Sequence, residues 1–123
     1  MIFTVSLTQN KDFLRLYKRG IFVNSPECVV YFLPNRLPFN RLGITTGKKI
    51  GNAVLRNRAR RVIRAAYTNS ESSFPIGYDI VVVARAQASK VKSDIIQDFF
   101  EKRVVKKINK SHDFSQKSKK EHL

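Results

Sequence analysis

The chain has one cysteine, Cys28, and no tryptophan among its 123 residues. A single thiol excludes an intrachain disulfide framework, and nothing here asks for an oxidising compartment, so a cytoplasmic location is expected. Histidine is nearly as scarce, with His112 and His122 both close to the C-terminal end. No apolar run reaches the roughly eighteen residues of a membrane span, and the opening "MIFTVSLTQNKDF" lacks a basic region followed by an apolar core, so neither a membrane helix nor a secretion signal is expected. The scarcity with most consequence is acid: nine Asp and Glu stand against 24 Lys and Arg, a net charge of +15. Between Glu27 and Glu71 there is no carboxylate at all, while that interval holds Arg36, Arg41, Lys48, Lys49 and an arginine cluster. Such a charge repels itself and opposes compaction, which points to an anionic partner.

What is present reads as a single domain over 1–108 with a disordered basic tail over 109–123. "LTQNKDFLRLYKRG" is helical in spacing, with Thr8 or Asn10 as cap and Gly20 as a left-handed stop. "IFVN" (21–24), "ECVVYFL" (27–33) and "RLGITT" (41–46) read as strands forming an antiparallel set. In the second of these, alternation places Val29, Tyr31 and Leu33 on one face and Cys28, Val30 and Phe32 on the other. From Asn52 to Tyr67 the pattern is helical, with Asn52 as N-cap and Leu55, Ala59, Val62 and Ala66 forming an apolar stripe beside Ile63. "YDIVVVA" (78–84) reads as a buried central strand parallel to a neighbour, and "SDIIQDFFEKRVVKKI" as a last helix capped by Ser93. The order αβββαβα makes an α+β two-layer sandwich with a split βαβ crossover.

Chemistry concentrates in "GNAVLRNRARRVIRAAY", where Arg56, Arg58, Arg60, Arg61 and Arg64 occur with no acid to pair them. A solubilising helix face intersperses Glu with Lys, because like charges at i, i+4 cost a few tenths of a kcal/mol per pair. Stacking Arg56, Arg60 and Arg64 accepts that cost, and guanidinium forks match phosphate oxygens. Lys48 and Lys49 precede the helix in "GKKIGN", where amides at a helix start also favour phosphate. The stretch is one residue short of a nucleotide-binding P-loop and has Lys49 where that loop needs a hydroxyl, so it is not one. Phe13, Tyr17 and Tyr31 supply rings that either pack in the core or stack on unpaired bases beside a basic groove. No acid–base pair or cluster of carboxylates for two metals can be assembled, so the chain alone is a binder.

These residues resemble the signature of the bacterial ribonuclease P protein subunit. "LGITTGKKIGNAVLRNRARRVIRAAY" places Arg56, Asn57, Arg58, Arg60, Arg61 and Arg64 in the register of that family's arginine helix, and "NKDFLRLYKRG", "VVYFL" and "YDIVVVARAQAS" are similar to its flanking elements. The similarity runs from about Leu7 to Ile108, with Gly47 where many relatives carry serine. It implies a sandwich with a left-handed βαβ crossover, a fold shared with a ribosomal-protein domain. It also implies assembly with a large catalytic RNA whose bound Mg²⁺ cleaves the 5′ leader from precursor tRNA, without an organic cofactor or obligate protein partner. By resemblance, Lys48, Lys49 and the motif residues Arg56 to Arg64 face RNA, and Phe13, Tyr17 and Tyr31, with Arg56 and Asn57, line a cleft for the leader. The rival reading is a general RNA-binding or ribosome-associated protein that processes nothing.

Overall fold

The computed structural model describes residues 1–111 as one five-stranded sheet between helices. The elements run β1 (Thr4–Ser6), α1 (Asn10–Arg19), β2 (Ile21–Asn24), β3 (Cys28–Pro34), β4 (Asn40–Thr45), α2 (Ala53–Ser70), β5 (Tyr78–Ala84) and α3 (Ser93–Phe99). The last helix continues through a π turn over Phe100–Val104 and resumes over 105–111. Residues 109–111, expected in the tail, are therefore helical, and the remainder of that tail, His112 and His122 included, lies outside the described residues. No helix among the described residues is long and apolar enough to cross a membrane.

The strand order is β1-β4-β5-β3-β2. β5 is the apolar run expected at the centre, and it lies parallel to β4 and antiparallel to β3. This corrects the expected antiparallel set. β2 and β3 do form a hairpin, but β4 has β5, not β3, as its neighbour. The reason is burial: β5 is buried on both faces, under α1 on one side and under α2 and the last helix on the other, and a central place lets β3 and β4 satisfy its two edges.

β1 was not expected from the sequence. Three residues make a weak strand, and this one is held from a distance by Glu71, which is buried just beyond α2. Its carboxylate accepts from the Ile2 amide at 2.7 Å, the Phe3 amide at 3.2 Å and the Thr4 hydroxyl at 2.5 Å. Burial alone would raise the Glu71 pKa, but the bonds from Thr4, Ile2 and Phe3 outweigh it and hold the group below its ordinary range.

One sheet face, with Cys28, Val30, Phe32, Ile80 and Val82, packs against α2 and the last helix in the main core. The other face carries Val81 and is covered by Leu16 of α1 and by Leu7, with Phe13, Tyr31, Leu33 and Val83 half-buried around them. Two of the expected caps are corrected. Gly20 is extended (φ −67°, ψ 147°), because the chain passes straight into β2; glycine is needed since a Cβ would collide with the Leu16 carbonyl. The last helix starts from Lys92, so Ser93 already lies inside its first turn and caps nothing. Asn52 caps α2 as expected, its Oδ1 accepting from the Leu55 amide at 3.0 Å. The buried stripe of α2 is Ala59, Ile63, Ala66, Tyr67 and Ser70, whereas Leu55 lies in the first turn, half-exposed over Gly51.

Candidate nucleic-acid interface

The chain contains two kinds of arginine. Arg15 and Arg41 converge on Asp79, a fully buried carboxylate near the start of the sheet's centre strand β5. Arg15 Nη2 donates to Asp79 Oδ2 at 2.5 Å, and Arg41 donates to both carboxylate oxygens at 2.7 Å. Burial raises the Asp79 pKa, but hydrogen bonds from Arg41 and Asn35 and the charges of Arg41 and Arg15 outweigh it, so the group titrates below the usual carboxylate range. These two guanidinium groups are tied into the structure.

The arginines of α2 are different. Among the described residues none of Arg56, Arg58, Arg60, Arg61 and Arg64 has an ion-pair partner. Two are aimed by neutral groups. Arg58 Nε donates to the Ser89 carbonyl at 2.8 Å, and Arg60 donates to the Thr46 hydroxyl at 2.6 Å and to Asn57 Oδ1 at 3.1 Å. Asn57 thus steers its neighbour one turn along. Arg56 is half-buried, and its Nε donates to nothing. Arg61 and Arg64 are exposed. Neutral partners fix a guanidinium without cancelling its charge, which leaves a ridge of aimed cations.

That ridge borders a groove of about 500 Å³ between β1, β4 and α2, lined by Phe13, Gly43, Ile44, Arg60 and Arg64 among others. Lys48 and Lys49 are exposed on the turn Lys48–Ile50, anchored by buried Ile50. Lys49 and Arg85 edge a further hollow of about 610 Å³ at the C-terminal ends of β4 and β5. The three expected rings share the α1 face of the sheet. Phe13 lies against Gly43, where any Cβ would come within 2.5 Å of its Cζ. Tyr17, 40% exposed, meets Tyr31 edge to face with centroids 5.2 Å apart. Phe13 lines the groove together with Arg60 and Arg64, and it packs with Tyr31 against the cluster of Leu7, Leu16 and Val81. Arg56 and Asn57 lie nearer the start of the helix and, like Tyr17 and Tyr31, are not among the residues lining that groove.

Sequence reasoning missed one ring. Phe22 is 56% exposed and stands 5.9 Å from Tyr31, its cross-strand partner, so the row reads Tyr17, Tyr31, Phe22. The signal was available, since pairing "IFVN" with "VVYFL" as a tight hairpin puts these two rings opposite each other.

Among the described residues no three of His, Cys, Asp and Glu come together as a possible metal site.

The ribonuclease P family model matches residues 3–116. Among curated relatives, the ribonuclease P protein component of Clostridioides difficile is 40% identical over 86 residues, 69% of this chain and 75% of that one. That of Pelotomaculum thermopropionicum is 40% identical over 92 residues, 75% and 82% of the two chains. Among solved structures, the RNase P protein of Staphylococcus aureus superposes with a TM-score of 0.70 at 40% identity, covering 85% of this chain and 94% of that one. The Thermotoga maritima protein gives 0.67 at 31% identity, covering 76% and 88%.

Proposed function

Because this chain belongs to the ribonuclease P protein family, and is thereby a protein component of a ribonucleoprotein endoribonuclease of tRNA processing, we propose a division of labour between its two surfaces. The ridge of α2, with Arg56, Asn57, Arg58, Arg60, Arg61 and Arg64 and the preceding Lys48 and Lys49, docks the catalytic RNA. The aromatic row and the adjoining groove hold the single-stranded 5′ leader of precursor tRNA. The observation that carries this reading is the ridge itself: five arginines on one helix without a carboxylate partner among the described residues, two of them aimed by neutral oxygens.

Guanidinium forks take phosphate oxygens in pairs, and each neutralised phosphate releases condensed counterions. Rings at the cleft stack on bases without reading their identity, which suits leaders of varied sequence. The chemical step needs an activated water and stabilisation of a leaving oxygen, and Mg²⁺ supplies both when held beside the scissile phosphate. We assign that ion to the RNA. This chain's residues bind and orient: they fix the strand that enters the site and neutralise the phosphates that crowd it.

The test is cleavage of 5′-labelled precursor tRNA at low Mg²⁺ by the protein alone, by the catalytic RNA alone and by both. Cleavage at the mature 5′ end should require the RNA and be enhanced by the protein. The Arg60→Ala/Arg64→Ala variant should assemble more weakly, with the log–log salt slope reduced by about 1.8 if both arginines sit on duplex phosphates. Assembly and cleavage indifferent to that double change would remove α2 from the docking surface.

A further inference from the structure

The π turn in the last helix has a directional effect. Inserting one residue rotates everything after it by about 100° relative to a continuous α-helix of 3.6 residues per turn. In this helix the rotation keeps Val104, Val105 and Ile108 on the core side already occupied by Ile96, Phe99 and Phe100, and all six are buried. Arg103, Lys106, Lys107 and Lys110 share one face by their own i, i+3, i+4, i+7 spacing, and the rotation turns that face away from the core, where all four are exposed. None has an ion-pair partner among the described residues, whereas Lys102 is taken by Asp98 at 2.9 Å. A helix dipole favours acids early and cations late, which explains part of this segregation. It does not explain what faces the cations.

That feature is a groove of about 390 Å³ between the last helix and the edge strand β2, lined by Arg103, Lys106, Lys107, Lys110 and Phe22 with its β2 neighbours. Phe22 is also the end of the aromatic row, 5.9 Å from Tyr31. One exposed ring thus belongs both to the row and to a second basic groove on the far side of the sheet edge. Rings leading into uncompensated cations form the track that single-stranded nucleic acid follows.

We propose that this groove is the continuation of the leader track: the 5′-distal nucleotides of a long leader pass Tyr31, stack on Phe22 at the β2 edge and lay their phosphates along Arg103, Lys106, Lys107 and Lys110. The inference rests on the assignment of the aromatic row to the leader. It predicts that leader length, not only leader presence, sets affinity.

The experiment uses holoenzyme assembled from the full chain and catalytic RNA, with precursor tRNAs whose leaders are about four and about sixteen nucleotides, the span of sites on single-strand-binding grooves. Four proteins are compared: the native chain, the Lys106→Gln/Lys107→Gln/Lys110→Gln variant, Phe22→Ala and Tyr31→Ala, each checked by thermal melting. The triple variant should weaken binding of the long-leader substrate about tenfold and lower its salt slope by about 2, three single-strand contacts at about 0.7 each. The triple variant should leave the short-leader substrate unaffected, and Phe22→Ala, at the end of the row, should weaken the long-leader substrate more than the short one. Tyr31→Ala should weaken both. If Tyr31→Ala acts and the triple variant changes nothing, or weakens short and long leaders alike as a contact to the catalytic RNA would, the continuation is refuted while the row keeps its role. If Tyr31→Ala leaves both substrates unchanged, the row itself is misassigned and the continuation falls with it.

Discussion

Replacing Gly43 by alanine tests whether the aromatic groove is held by steric fit. Gly43 lies in β4 opposite Phe13, and an added methyl would stand 2.5 Å from the ring's Cζ and 2.6 Å from its Cε1. Carbon atoms pack at about 3.5–4.0 Å, so the ring must retreat by about 1 Å. Phe13 cannot carry its helix with it, because α1 is fixed by fully buried Leu16 and by Arg15 on Asp79. Overpacking of this kind costs about 1–2 kcal/mol, since the clash falls on the far end of one side chain. For a domain of this size that lowers Tm by about 4–8 °C. Binding of a precursor with a leader should weaken as well. A whole stack is worth about 1–3 kcal/mol, roughly five- to 150-fold in Kd, and a displaced ring should fall at the lower end. The decisive measurement is a double-mutant cycle with Phe13→Ala, itself destabilising by about 2 kcal/mol for a half-buried ring. Removing the ring makes room for the methyl, so Gly43→Ala should cost about 1 kcal/mol less in that background. Urea melts showing additivity within about 0.3 kcal/mol would refute the steric argument.

Asp79→Asn should destabilise the fold by about 3 kcal/mol in chemical denaturation; the estimate takes the low end for a broken buried pair because Arg15 and Arg41 are 39% and 25% exposed. Since the folded pKa values of Asp79 and Glu71 are depressed, their contribution is present in full above about pH 5 and lost as pH falls through the unfolded and then the folded values. Unfolding free energy should therefore drop on acidification below about pH 4–5, and Asp79→Asn should flatten that slope. Cys28 is fully buried, and burial foremost pushes its thiol up to about 12. Alkylation at neutral pH should be negligible in the folded chain and rapid in denaturant, as mass spectrometry of iodoacetamide-treated protein can show.

The elements legible in the sequence are those whose pattern is local. Asn52 announces the start of α2, and the apolar run 78–84 announces a central strand. β1 was hidden because its stability resides in Glu71, far along the chain, and no periodicity records that bond. The pairing of β4 with β5 was hidden because it is decided by where the α2 crossover lands. The arginine ridge was legible as composition, but not its aiming, which depends on Thr46 and Ser89. Asp79 gave a signal that went unread: a carboxylate inside an apolar strand needs a buried counter-charge, and Arg41 is the cation in register opposite it. The cations of the last helix share a face that their spacing shows, but which way that face points is set by the π turn, which leaves no periodic mark in the sequence.

The position of β5 in the sheet has a consequence for how the chain comes to be folded. The strand that joins β4 to β3 is the last strand in chain order among the described residues, and its two neighbours sit on opposite sides of it with no bonds to each other. Until residues 78–84 emerge, the nascent chain can form the β2–β3 hairpin and the α2 helix, but it cannot close a sheet or cover an apolar face. Folding is thus a late, concerted event dominated by contacts between distant residues, which is slow for topological reasons alone. Any truncation upstream of Tyr78 leaves two half-sheets with nothing between them.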